Sequence, residues 1–219
     1  MSNGVLVIVS HPDDETFGCG ATLVKHVNAG VDVDVLCLTC NPVDRETEFN
    51  AATDVLGVSS TIWMEKNIES SPLLIRKIAD FIDEHRPRTV ITHVPFDYHR
   101  EHRVCYEVVK EAVEWAAHTT MYMDAWQVER FLLMEVNSLI PQPSVLVDVS
   151  ETFDQKMSAV EQYQSQLAKF PWGYYEKVCL KKGELRGAQC NVEYAEAFIE
   201  EALPGNGPFY PEKSSDLLV

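Results

Sequence analysis

A chain of 219 residues fits one substantial domain, and a hydrophobic content of 46% is enough for a sizeable core, which excludes a disordered polypeptide. A formal net charge of −16, from 34 acidic against 18 basic residues, would repel phosphate backbones and anionic headgroups, so nucleic-acid binding is not expected. A neutral small molecule is compatible with that surface, and a charged one needs only a few local arginines.

The N-terminus has no basic region ahead of its apolar run, and that run is far too short for a signal peptide or a membrane span, so no membrane insertion is expected. The six cysteines (19, 37, 40, 105, 179 and 190) show no paired framework, which suits a reducing, cytoplasmic compartment.

The first element, "GVLVIVS" (4–10), is a short continuous apolar run and reads as a buried strand. "TLVKHVNAG" (22–30) continues a helix that closes on Gly30, and "VDVDVLCLT" (31–39) is a second, partly alternating strand. "ETEFNAATDVLG" (46–57) is a helix ending at another glycine, and "STIWM" (60–64) is a short strand. "SPLLIRKIADFIDEHRP" (71–87) is an amphipathic helix with Pro72 at its start and Pro87 as its stop. "RTVITHV" (88–94) is a fourth strand, with a helix expected over roughly 102–117. Residues 128–136 and 144–150 read as further strands and 151–167 as one helix; no element is assigned after about 168.

This alternation predicts a Rossmann-like α/β fold, a mostly parallel sheet with helices on both faces, in one domain over residues 1–219 with a tail from about 200. In such sheets ligands lie beyond the carboxyl ends of the strands. Two charged clusters fall there. His11-Pro12-Asp13-Asp14-Glu15 follows strand one directly, and "DYHREH" (97–102) follows strand four.

A catalytic zinc takes three protein ligands from His and Asp/Glu and keeps a position for water. His11 and Asp14 are three apart across a Pro-containing turn, and His99 and His102 are one helical turn apart. The two segments together could supply a His-Asp-His metal site, with Asp13 left to accept a proton from water and a second histidine to donate to a developing oxyanion. Each cluster alone also reads as helix capping, because acidic residues satisfy free N–H groups and oppose the helix dipole. Their placement at two strand ends of one sheet favours the site.

"SHPDDETFGCGATL" and "HVPFDYHREH" resemble the two signature motifs of the LmbE-like, or PIG-L, family of metal-dependent N-acetylglucosamine deacetylases. "RETEFNAATDVLG" (45–57), "VDVSETFDQKMSAVEQYQSQ" and "YAEAF" extend the likeness over about residues 4–200, more loosely toward the C-terminus. The resemblance implies zinc ligands at His11, Asp14 and His102, a general base at Asp13, and a protonated, oxyanion-stabilising histidine at His99. It also implies that Asp97 orients the His99 imidazole, that Arg45 contacts substrate, and that Glu48 is the helix partner of Arg45. Glu101 stands where the family has Asp before the last His, keeping the charge with a longer reach, and "CNPVD" (40–44) departs from the usual loop.

Other features read more plainly. Cys37-Leu38-Thr39-Cys40 is followed by Asn41-Pro42 rather than by a helix, so it reads as one strand and one loop cysteine. His93 ends strand four and reads as a satisfied core histidine, with a place under the site as the other reading. "FPWGYY" (170–175) reads as a cluster packing a loop onto the body, with sugar binding as the other reading.

The expected activity is removal of an N-acetyl group from an N-acetylglucosamine-type amino-sugar conjugate, a small-molecule substrate, by metal-activated water. Zinc is the expected metal; iron, cobalt and manganese suit the same donors. An amidase of the same superfamily acting on a larger acyl or thiol conjugate is one alternative, and a non-catalytic nucleotide-binding module is another. The sequence leaves open a homo-oligomer.

Overall fold

The computed structural model describes residues 4–42 and 45–203. Five strands run parallel: β1 (Val5–Val9), β2 (Val33–Thr39), β3 (Ser59–Glu65), β4 (Thr89–His93) and β5 (Arg130–Met134). With β6 (Val145–Asp148) and β7 (Ala195–Glu201) they form a seven-stranded sheet of order β3-β2-β1-β4-β5-β7-β6, in which β7 is antiparallel to both its neighbours. The expected mostly parallel Rossmann-like sheet is observed. Its order reverses direction between β1 and β4, which is where such sheets open a crevice for ligand.

β1 shows why a continuous apolar run was needed. Successive side chains point to opposite faces, so Val5, Val7 and Val9 enter one core while Leu6 and Ile8 enter the other. Helices α1 (Asp14–Asn28), α2 (Arg45–Leu56), α5 (Phe153–Val160) and α7 (Tyr174–Cys190) cover the first face. Helices α3 (Pro72–His85) and α4 (Arg100–Ala116) cover the second. α3 starts as its sequence dictates: Ser71 Oγ accepts the Leu74 N–H at 3.3 Å, Pro72 occupies the first turn, and Leu74, Ile75, Ile78 and Ile82 form the buried stripe.

Two expectations need correction. The single helix over 151–167 is broken after Val160 into α5 and a one-turn α6 (Gln164–Leu167), because the chain bends to bury Tyr163 against α1. Beyond 168, where the sequence assigns no element, the chain forms α7 and β7. β7 is hard to read because it carries Glu196 into the core, where Lys156 Nζ lies 2.6 Å away and the Ala21 and Thr22 N–H groups also donate to the carboxylate. Most of the expected tail lies outside the described residues. Among the described residues no helix is long and apolar enough to cross a membrane.

Candidate metal centre and active site

The chain leaves β1 at Val9, turns over Ser10 to Asp13 and enters α1 at Asp14. The turn is closed by the His11 N–H donating to Asp14 Oδ2 at 2.9 Å. Asp13, at the head of the helix, has φ 116° and ψ −29°, a conformation that costs a non-glycine residue about 1–3 kcal/mol and persists only where its surroundings enforce it. Across the sheet reversal, β4 ends at His93, and the following loop delivers Asp97, His99 as the residue before α4, and His102 in its first turn.

These segments converge. His11 Nδ1 lies 3.4 Å from Asp14 Oδ2 and 3.3 Å from His102 Nε2, and His102 Nε2 lies 3.2 Å from Asp14 Oδ1. Donors at about 2.0–2.1 Å from a tetrahedral zinc stand about 3.3 Å apart, so the donor types and their spacing fit such an ion, with the carboxylate offering either oxygen. Ligating atoms of His11, His99 and His102 lie within 4.8 Å of one another, as do those of Asp14, His93 and His102. His93 is committed elsewhere: its Nε2 accepts the Ser10 N–H at 3.1 Å, and its ring stacks on that of His102 with centroids 4.0 Å apart. It is a core histidine beside the site, but not the satisfied one expected: its Nδ1 is buried without a partner.

The electrostatics follow from burial and from this crowding. Burial opposes charge on Asp14, but His102 and His93 outweigh it and hold the carboxyl well below the usual range. Burial likewise opposes charge on His102, yet Asp14 and Asp97 raise its pKa from 6.5 to about 10. Burial and the charge of Asp14 lift Asp13 above the ordinary carboxylate range, and Arg45 pulls it partly back. His99 is pushed below its ordinary value, first by burial and then by the charges of His102 and His11, which favours the neutral imidazole over the protonated one expected.

Several expected contacts differ. The Asp97 carboxylate does not meet the His99 imidazole. Its Oδ1 accepts the His99 backbone N–H at 2.9 Å, and its Oδ2 stands 3.5 Å from His102 Nδ1, so it holds the loop and faces the other histidine. Nδ1 of His99 is buried with no hydrogen-bond partner. Arg45 lines the cavity but is already engaged, donating to Asp13 Oδ2 at 2.6 Å and to the Pro12 carbonyl. Glu48 does not pair with Arg45; its carboxylate accepts the Ser165 N–H and hydroxyl at 2.7 and 2.6 Å. Glu101 uses its extra methylene to reach His11, with Oε2 2.6 Å from Nε2.

Sequence reasoning missed Asn137, whose N–H donates to Asp97 Oδ2 at 3.1 Å and whose amide nitrogen is 3.4 Å from His102 Nδ1. The strand-end rule could have found it, since it lies just past β5. Around these groups opens a cavity of about 260 Å³, walled also by Phe17, Tyr98 and Tyr175. Tyr175, from "FPWGYY", stacks on Phe17 at 5.3 Å, whereas Trp172 stands 84% exposed. A larger hollow of about 450 Å³ lies at the opposite end of the sheet beside Asp32, Asp34 and His85, away from the converging donors.

Residues 6–113 match the family described as PIG-L: GlcNAc-PI de-N-acetylase. A probable N-acetyl-alpha-D-glucosaminyl L-malate deacetylase 2 of Bacillus cereus is 26% identical over 191 residues, covering 76% of this chain and 84% of the relative. A diacetylchitobiose deacetylase of Thermococcus kodakarensis is 25% identical over 219 residues, covering 88% and 80%. Among solved structures, the conserved protein TT1542 of Thermus thermophilus superposes with a TM-score of 0.84 at 27% identity, covering 96% of this chain and 99% of its own. GalB, a 4-carboxy-2-hydroxymuconate hydratase of Pseudomonas putida, superposes at 0.79 with 20% identity, covering 96% and 100%, which is a likeness of fold alone. Residues 6–113 thus form a PIG-L (LmbE-like) family domain.

Proposed function

We propose that this protein is a zinc-dependent hydrolase that removes the N-acetyl group from an N-acetylglucosamine-type conjugate, releasing acetate and a free amine. The observation that carries the reading is the approach of His11, Asp14 and His102 donors to 3.2–3.4 Å of one another at the sheet reversal, with Asp13 and His99 on the same cavity. Relatives named as deacetylases of N-acetylated glucosamine conjugates support the substrate class. The hydratase among the fold neighbours shows why the fold alone would not suffice.

His11, Asp14 and His102 would hold the ion, which when bound supplies Lewis acidity toward the amide carbonyl and makes water a better nucleophile at neutral pH. Asp13 accepts the proton of the attacking water and returns it to the amide nitrogen as the C–N bond breaks, so that acetate and a free amine leave; a carboxylate lifted above its usual range is better matched to that task than an ordinary one. His99, neutral in the free protein, donates one N–H to the carbonyl oxygen as charge develops there. Arg45 restrains the Asp13 carboxylate from behind, and Asp97, itself held by the Asn137 N–H, fixes the orientation of His102. One domain working in the cytoplasm on a small molecule is consistent with the free cysteines.

The test pairs metal analysis by mass spectrometry on the protein loaded with zinc with an assay for acetate from N-acetylglucosamine conjugates. About one zinc per chain, lost in a folded His11→Ala, His102→Ala variant, together with acetate release is the expected result. A protein that takes up no zinc on reconstitution, or a zinc-loaded one that releases no acetate from any such conjugate, overturns it.

A further inference from the structure

The third acid of the "HPDDE" motif is absorbed by neither the metal nor the proton chemistry. Glu15 is fully buried, and its carboxylate is held by hydroxyl and backbone donors. Its Oε1 accepts two hydroxyls, from Tyr163 at 2.5 Å and Thr16 at 2.6 Å. Its Oε2 accepts the backbone N–H of Asp13 at 3.1 Å. Tyr163 is itself fully buried and comes from 148 positions away, from the bend that breaks α5 from α6.

We propose that Glu15, locked in place by Tyr163, is a positioning residue that keeps Asp13 in its left-handed backbone conformation and so aims the Asp13 carboxylate into the cavity. The inference rests on the reading of Asp13 as the proton acceptor. Asp13 is tethered at three atoms: its N–H by Glu15, its carbonyl by the Phe17 N–H at 2.9 Å, and its Oδ2 by Arg45 at 2.6 Å. The carbonyl bond belongs to the ordinary first turn of α1, and Arg45 holds only the tip of the side chain. Neither fixes φ. The N–H of a residue at a helix start has no partner within the helix and can rotate to water if none is provided. Glu15 provides one from inside the protein, and the bond is made with the chain standing at φ 116°. The two hydroxyls saturate one carboxylate oxygen and leave the other directed at Asp13. The same tyrosine precedes α6, whose Gln166 walls the cavity, so one hydrogen bond joins the catalytic turn to the wall opposite.

The test is Tyr163→Phe in the full-length, zinc-loaded protein, which removes one hydroxyl and keeps the ring that fills the core. Zinc stoichiometry is expected to equal that of the wild type. KM should stay within about twofold while kcat falls about 10- to 100-fold, because misplacing a reacting group by a fraction of an ångström is felt in the chemical step rather than in binding. In a crystal structure of the variant the φ of Asp13 should move toward the negative values usual before a helix. Should Tyr163→Phe prove insoluble, Thr16→Val removes the other donor to the same oxygen and should show the same split to a smaller degree. A variant with wild-type kcat and unchanged Asp13 geometry, even if less heat-stable, would reduce the Tyr163–Glu15 bond to a packing contact and overturn the proposal. If the wild-type protein binds zinc but releases no acetate, the functional reading fails, and the crystallographic φ of Asp13 still decides whether Tyr163 governs this turn.

Discussion

Glu101 Oε2 lies 2.6 Å from Nε2 of His11, a carboxylate on the first turn of α4 closing on an imidazole 90 positions earlier in the chain. With the proton on Nε2, the other ring nitrogen has its lone pair free beside the Asp14 and His102 donor atoms, where a cation would sit. A carboxylate behind a ligand histidine fixes its tautomer and raises its basicity. The longer side chain at position 101 therefore spans a gap on this protein rather than merely keeping a charge.

Glu101→Gln is expected to keep the fold but weaken zinc binding about 10- to 100-fold, since an amide can accept the proton yet adds no negative charge behind the imidazole. Glu101→Asp should show a similar loss, for want of reach. Competition against a chelator of known affinity reads both; affinities equal to wild type would mean that the contact does not support the metal.

Asp13→Asn tests the proton acceptor apart from the metal. It is nearly isosteric and leaves the side-chain oxygen for Arg45, so zinc content should be unchanged while kcat falls by about 100-fold or more. Retention of near wild-type turnover would remove Asp13 from the chemistry.

The Lys156–Glu196 pair, 2.6 Å apart and almost fully buried, joins α5 to β7. Lys156→Met leaves the Glu196 carboxylate in the core with only the Ala21 and Thr22 N–H groups, and should cost about 3–5 kcal/mol in urea unfolding. Adding Glu196→Gln should recover part of that loss. If the single variant unfolds at the wild-type midpoint, the pair contributes nothing net.

Gly187 sits where α7 passes the turn into β7, and an added Cβ would stand 2.4 Å from the Glu193 carbonyl oxygen and 2.7 Å from that of Val192. Backbone cannot yield as a side-chain tip does, so Gly187→Ala should destabilise by about 1–3 kcal/mol. Gly20→Ala is the control: its nearest neighbour would be a side-chain carbon at 3.4 Å, and the helix gains propensity, so its melting temperature should be close to wild type.

Cys19, Cys37, Cys105 and Cys179 are buried, and burial pushes their thiols up, that of Cys105 to about 12. A thiol reagent at neutral pH should therefore modify Cys190 first in the native protein and reach these four only on unfolding. Rapid labelling of Cys37 before unfolding, located by peptide mass mapping, would contradict the packing of β2.

Much of this was legible in the residues. The unbroken apolar run of β1, the capped and striped α3 and the alternation up to β5 follow from local periodicity and from stop signals that act within a few residues. So does the location of the site, because charged motifs directly after β1 and β4 can only lie at one end of a parallel sheet. The C-terminal third was less legible. β7 hides its identity behind a buried glutamate, and the helix over 151–167 carries no glycine or proline at Val160 to announce its break.

By itself the sequence determined the fold class and the donor types, since both are set by side-chain chemistry and short-range spacing. Only the tertiary structure decided the partnerships: Asp97 with His102 rather than with the ring of His99, Arg45 with Asp13, Glu101 with His11, and Tyr163 with Glu15. Each joins groups from different elements, and all but that of Asp97 span more than thirty residues of chain. Their hydrogen bonds act over about 3 Å, and that distance is set by how helices and strands stack.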